Sequence, residues 1–506
     1  MYRAVKLLFL VFTIAGIGFY IHHHFSLVIF PKPQLVEAQT QTTDWPQLQH
    51  DPQRTGYNNS AIRSSGTFTT PWSWHPANAD TSVAEYAQPV IANGVLAIGD
   101  FDGVMYGLND VTGVQLWQYP SGSPIYATAA IYNGKVFFGN DGGKVIAINA
   151  SDGKKVWEYQ TGAGVVSAPV AFNNKVFFTS KDGKLYAFNE SDGTTPLWSY
   201  DAGAPITMSP AASVNKNTIF VGSENMMAYA INVNTHQAIW SKQLNGDGFR
   251  YYWPVVSESN NLVYFRTEPA RAFHDMLNAD GYMLESGKCS NFTFGECHAT
   301  ATTGSAECSQ SCQGFTINST EADYQTEQQR IVSYINANPD RQVMYALNLD
   351  TGNPVYTPAV LYTGGSGFVP DPPVINDVAN QGWIIWRSYY SMYDSGTTVR
   401  PYVDVGKFNI ATGYISHLSC PHLSGESCKM NWEDFHLVGD EQSLLTLAAN
   451  AVLVGNGGTE LGGIYTSTER SFNVGTRSGG GAGGNPVGVV ANGRVYYQAG
   501  SLGMFQ

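Results

Sequence analysis

Charge is scarce in this chain, and positive charge scarcer still. Only 13% of the 506 residues are charged, with 27 Lys and Arg against 40 Asp and Glu, a net charge of −13. No run of basic residues occurs. A phosphate backbone is gripped by clustered Lys and Arg, so nucleic acid is excluded as a partner. A phosphate-binding Gly-rich loop is missing too: residues 479–484 read GGGAGG with no Lys-Ser/Thr behind them, and form a flexible connector. The six cysteines are confined to two stretches, Cys289, Cys297, Cys308 and Cys312 in one, Cys420 and Cys428 in the other.

Long apolar runs are equally rare, and the prominent one stands at the N-terminus. Arg3 and Lys6 precede an apolar stretch over residues 7–21, followed by His22, His23, His24 and a second stretch over 25–30. This is the pattern of a secretory signal or a signal-anchor helix, and residues 1–30 are read as such a segment. The absence of cysteine there excludes a lipoprotein anchor. The remainder is expected to be exported, to the periplasmic or extracellular face, either tethered by this segment in the membrane or released by cleavage. In such a compartment an even cysteine count reads as disulfides, with Cys420–Cys428 the pair proposed and the other four left open among three connectivities. His417, His422 and His436 crowd the second stretch, but a disulfide is the simpler use of its cysteines than zinc, so no metal site is assigned. Residues 31–44, rich in Pro, Gln and Thr, form a linker.

What the chain has in abundance is one phrase rewritten. GVLAIGDFDGVMYGLNDVTGVQLW begins at Gly94, GKVFFGNDGGKVIAINASDGKKVW at Gly134, NKVFFTSKDGKLYAFNESDGTTPLW at Asn174 and NTIFVGSENMMAYAINVNTHQAIW at Asn217. The closing residues Trp117, Trp157, Trp198 and Trp240 are spaced by 40, 41 and 42. A period near forty built of short alternating strands marks an all-β propeller with one four-stranded blade per repeat. Degenerate repeats continue over residues 253–265 and 342–356, 372–417, 435–472 and 485–505, giving eight blades, or seven if 435–472 is something else. Residues 266–341 are an insertion within the fifth blade. The final repeat has three strands, and Trp74, 43 residues before Trp117, is expected to bring the fourth. The prediction is an eight-bladed ring over residues 45–506, closed by its own N-terminal strand.

Turn chemistry agrees. Asn109, Asn149, Asn189, Asn232, Asn348 and Asn409 share one position, and four residues later stand Gly113, Gly153, Gly193, His236, Gly352 and Gly413. Asn bonds its own turn and Gly accepts positive φ. His236 is therefore expected at positive φ, at a cost of about 1 kcal/mol.

The string Asn-x-x-Thr/Asp-Gly-x-x-x-Trp after a Gly-Lys-Leu-Tyr-Ala strand resembles the tryptophan-docking repeat of the pyrroloquinoline-quinone-like propeller family. The opening WPQLQHDPQRTG at residues 45–56 is similar to that family's entry segment. The family includes quinoprotein alcohol dehydrogenases and the propeller lipoprotein of outer-membrane protein assembly, both eight-bladed. The resemblance implies that Trp74, Trp117, Trp157, Trp198 and Trp240 are structural, as their bulk at a fixed period also argues. It raises quinone and calcium as cofactors. The residues disfavour them: no adjacent cysteine pair exists, no Cys-x-x-Cys-His haem motif is present, and no segment aligns with the catalytic branch's calcium ligands.

Aligning blades on Pro89, Ala129, Pro169, Pro210 and Pro254 places Tyr86, Tyr126, Val166, Thr207 and Tyr251 at the channel mouth, with Glu85 and Arg250 adjacent. Later blades add Arg387, Tyr389, Tyr390, Asp434 and His436. Tyr86, Tyr126, Arg250, Tyr251, Arg387 and Asp434 are the candidate ligand-binding residues, able to stack on and hydrogen-bond a planar or sugar-like ligand. Simple channel lining is the plainer alternative. No catalytic residue is assigned. The expectation is a binding or scaffold module at the cell envelope, with an envelope protein or small molecule as partner. The alternative is an oxidoreductase working through the funnel.

Overall fold

Strand-forming residues alternate with turn residues so regularly that each repeat folds on itself as a meander of four antiparallel strands. The computed structural model describes residues 43–64, 67–76, 78, 82–84, 87–268, 288–289, 292–293, 321–360, 371–394, 399–416, 444–456, 460–467, 471–476, 487–498 and 502–506. Blade 1 consists of Val90–Ala92, Val95–Gly99, Val104–Asn109 and Gln115–Pro120, hydrogen-bonded in that order. The same order recurs in seven further sheets, so the protein is an eight-bladed β-propeller. The uncertain seventh repeat is a full blade, running from Leu445–Ala448 to Ser471–Thr476. The targeting segment and linker, residues 1–42, lie outside the described residues. Among the described residues no helix is long and apolar enough to cross a membrane.

The ring closes as expected. Trp72–Trp74 pairs with Leu502–Phe505 as the outermost strand of the last blade. The docking ring there, however, is Trp72, not Trp74. Trp72 lies opposite Met504, and a side chain at Gly113 would meet its indole, just as Gly153 sits over Trp117, Gly193 over Trp157 and Gly352 over Trp240. Trp74 instead packs edge-on against Tyr106, with ring centroids 4.9 Å apart. The spacing argument chose the wrong one of two tryptophans because the outer turn of that blade is formed by two distant pieces of chain.

Three docking indoles also bond the following blade, whereas the buried Trp72 indole N–H has no acceptor among the described residues. The indole N–H donates from Trp117 to the Ala150 carbonyl (2.7 Å), from Trp157 to Glu190 (3.1 Å) and from Trp240 to Leu349 (2.8 Å). In the fifth blade Tyr356 takes this role, its hydroxyl donating to the Ile410 carbonyl at 2.7 Å. Trp198 departs from the pattern: its buried indole N–H has no acceptor, and its ring stacks on His236 at 5.0 Å. The turn before Trp198 is one residue longer than in its neighbours, which also explains a second departure. His236 takes φ 61° as expected, whereas Gly193, in the lengthened turn, is not at positive φ.

One element was read only as an entry segment. Residues 45–58 run once around the inside of the ring and touch the inner strand of every blade. Trp45 exchanges two backbone bonds with Ile91 (2.7 and 2.8 Å), Ile131 N–H donates to Pro46 (2.6 Å), and Ala171 N–H to the Gln47 side chain (3.1 Å). Ala212, Val256, Ile375 and Leu447 then donate to the carbonyls of Pro52, Gln53, Thr55 and Gly56, at 2.7–2.9 Å. The Asn58 amide finally donates to Val490 in the eighth blade, at 2.8 Å.

Candidate functional site

The antiparallel meander gives the propeller two faces of different character. Inner strands end at tight turns such as Asn93-Gly94 and Asn133-Gly134, whose carbonyls accept the Asp110 and Ala150 N–H groups of the outer turns. The chain enters this turn face: Asn492 N–H donates to Thr43 (2.8 Å) and Asn93 N–H to Asp44 (3.2 Å). The opposite face carries the loops between second and third strands and the connections between blades. Backbone bonds tie the two sets together, from Ile125 to Asp100, Asp141 to Pro124, Lys181 to Gly164 and Glu224 to Pro205.

Every interruption of the repeat opens on this loop face. The insertion leaves strand Leu262–Arg266 and returns at Met344–Asn348, both at their loop-face ends. Blade 6 lengthens its central hairpin to Gln381–Asp394 and Val399–Asn409, with a register shift between Ser388 and Met392. Residues 361–370 and 417–443 lie outside the described residues. Within the insertion, helix Glu321–Ala337 covers an exposed sheet edge. The Gln328 amide donates to the Ile415 carbonyl (2.7 Å) and accepts from its N–H (2.8 Å), standing in for a neighbouring strand.

The described part of the predicted funnel shares this face. Tyr126 is 37% and Tyr251 55% exposed, whereas Val166, at the same repeat position, is buried. Arg250 is held at φ 46° and ion-paired to Glu268, and the Thr207 hydroxyl lies between Glu224 and the Arg250 carbonyl (2.9 Å). Arg387 lies on the extended hairpin opposite Val403, past the point where other blades turn. Tyr86 and Asp434, with Glu85 and His436, lie outside the described residues, as do Cys420 and Cys428. Sequence reasoning missed Phe101, 38% exposed and packed edge-on against Tyr126 at 5.6 Å. It occupies the loop position where the next three blades carry Asp141, Lys181 and Glu224, and that mismatch was the available signal.

Charge on this face is lopsided. Lys181 is ion-paired with Asp141 (2.8 Å) and Arg250 with Glu268. Asp201 and Asp247 are left without an ion pair among the described residues. Further in, the axis is lined by amides and hydroxyls: Gln47, Gln49, Gln88, Thr128, Ser167 and Ser209, all buried. Arg54, at φ 60°, buries its guanidinium and donates to the carbonyls of Leu48 (2.8 Å), Pro169 (2.7 Å) and Pro210 (3.0 Å). Desolvation lowers its pKa to about 9, with Asp51 opposing. A calcium-bound quinone calls for converging carboxylates at the axis. This amide-and-hydroxyl lining, filled by residues 45–58, does not fit it, and no group of three His, Cys, Asp or Glu suited to a metal occurs among the described residues.

Comparisons with known proteins agree with this architecture. A family model described as outer membrane protein assembly factor BamB matches residues 72–158 and 102–271. The repeats within residues 72–271 are thus similar to those of that family model. Among solved structures, BamB from Moraxella catarrhalis is similar at 13% identity and TM-score 0.51, over 87% of this chain and all of that one. Quinohemoprotein alcohol dehydrogenase from Comamonas testosteroni is similar at 12% identity and TM-score 0.56, over 92% and 80%. A europium-containing methanol dehydrogenase gives 11% and 0.52, over 90% and 89%. At these identities the likeness is one of fold. No curated protein sequence matches the chain.

Proposed function

We propose that this protein is a binding or scaffold module at the cell envelope, tethered or exported by its N-terminal segment, which holds a protein partner on its loop face. One observation carries the reading. The departures from the repeat and the exposed aromatic rings Phe101, Tyr126 and Tyr251 gather on the face opposite the one where the chain enters at Thr43. Aromatic side chains that are exposed rather than packed are the usual anchors of contacts with a partner. The family model's description, an outer membrane assembly factor, supports a role in holding other proteins.

The test is a triple substitution, Phe101→Ser, Tyr126→Ser and Tyr251→Ser, set beside a turn-face control, Val378→Ser, whose side chain is 91% exposed. The proposal expects the triple variant to lose its envelope partner at unchanged melting temperature and the control to keep it. Equal retention by both variants contradicts it.

A further inference from the structure

We propose that the inner strands form an axial seat for a peptide folded in tight turns, and that residues 45–58 occupy it as a ligand held in cis. Those strands already have their own sheet partners on the outer side. Their inward N–H groups, from Ile91, Ile131, Ala171, Ala212, Val256, Ile375 and Leu447, are all answered by this one segment. Residues 45–56 of the segment are a strand of no blade. Apart from the two-residue strand Tyr57–Asn58, which runs parallel to Leu445–Ala448, the segment has no regular structure. Its shape is imposed by the seat: Gln49, His50 and Arg54 are all non-glycine residues at positive φ. Such conformations are unfavourable in a free chain and persist where surroundings over-determine them.

Recognition within the seat is specific in two places. Arg54 satisfies the Pro169 and Pro210 carbonyls, which belong to two adjacent blades, together with its own Leu48 carbonyl. Gly56, at φ 65°, leaves no room for a side chain, since a Cβ there would collide with Val374. The chemistry that fits is therefore a chain turned at residues 47–56, with carbonyls directed outward, one buried guanidinium and one obligatory glycine. A second copy of this chain offers the same segment, so exchange between copies follows from the same geometry.

The experiment uses the full chain with a protease recognition sequence inserted after Ser64, which is exposed. After cleavage, a cycle through denaturant is run with a fluorescent synthetic peptide of residues 43–64 in excess. The labelled peptide is expected to enter the ring and co-migrate with it on gel filtration. Peptides carrying Arg54→Ala or Gly56→Ala are expected to compete at least about tenfold more weakly, since the first removes three hydrogen bonds and the second sets a side chain against Val374. A ring that refolds with unchanged melting temperature and excludes the peptide overturns the proposal. So does equal competition by the variant peptides, and so does a cleaved ring whose lost stability the added peptide fails to restore.

Discussion

Trp240 and Trp198 hold the same position in adjacent blades and differ in one bond, which makes them a matched pair. The Trp240 indole donates to the Leu349 carbonyl at 2.8 Å, whereas the buried Trp198 indole N–H donates to nothing. Replacing Trp240 by Phe removes the donor and leaves a buried carbonyl unanswered, which costs about 1–3 kcal/mol. Loss of indole area adds about 1 kcal/mol at roughly 25 cal/mol per Å². At Trp198 the same change deletes an unsatisfied donor, and this gain offsets the lost area. Trp240→Phe should therefore destabilise by about 2–4 kcal/mol and Trp198→Phe by about 0–1 kcal/mol. Urea denaturation followed by far-ultraviolet circular dichroism, with both variants compared at the same slope, measures the difference. Equal losses, or a larger loss at Trp198, refute the assignment of the indole bond as the link between blades.

Two further outcomes follow from the same geometry. Trp72→Ala should lower the melting temperature more than Trp74→Ala, because Trp72 fills the docking slot beneath Gly113 while Trp74 packs at the strand's end; the reverse order in a thermal melt would restore the spacing argument. Burial pushes the Asp371 carboxyl up to about 7, with the nearby Arg266 opposing. Between about pH 4 and 7 the unfolded chain releases this proton while the folded chain keeps it, so stability falls as pH rises through that window. Asp371→Asn should flatten that slope in melts taken from pH 4 to 7.5, and an unchanged slope would remove Asp371 as its source.

The architecture was legible because its determinants are local and repeated. Within each repeat of about forty residues the inner strands, the Asn-to-Gly turn and the docking tryptophan recur together, as in Lys184–Asn189 and Trp198, and each copy confirms the rest. Residues 45–58 were not legible, because they follow no period. Their partners lie from 46 residues away at Ile91 to 432 away at Val490. Trp72 and Trp74 were confused for a related reason, since the slot is defined by Met504 and Gly113 rather than by spacing. Tyr126 and Tyr251 stand exposed on the loop face, where their alignment before Ala129 and Pro254 put them. Phe101 was missed because it stands in a different loop that folding brings beside Tyr126.

The measurement that bears most directly on the proposed role is site-specific photocrosslinking in intact envelopes. A photoreactive residue is placed in turn at Tyr126 and Tyr251 on the loop face, and at Val111 and Val378 on the turn face. The account predicts a discrete crosslinked partner from the first two positions and none from the second two. Crosslinks from Val111 and Val378 alone, or the same partner from both faces, would contradict it.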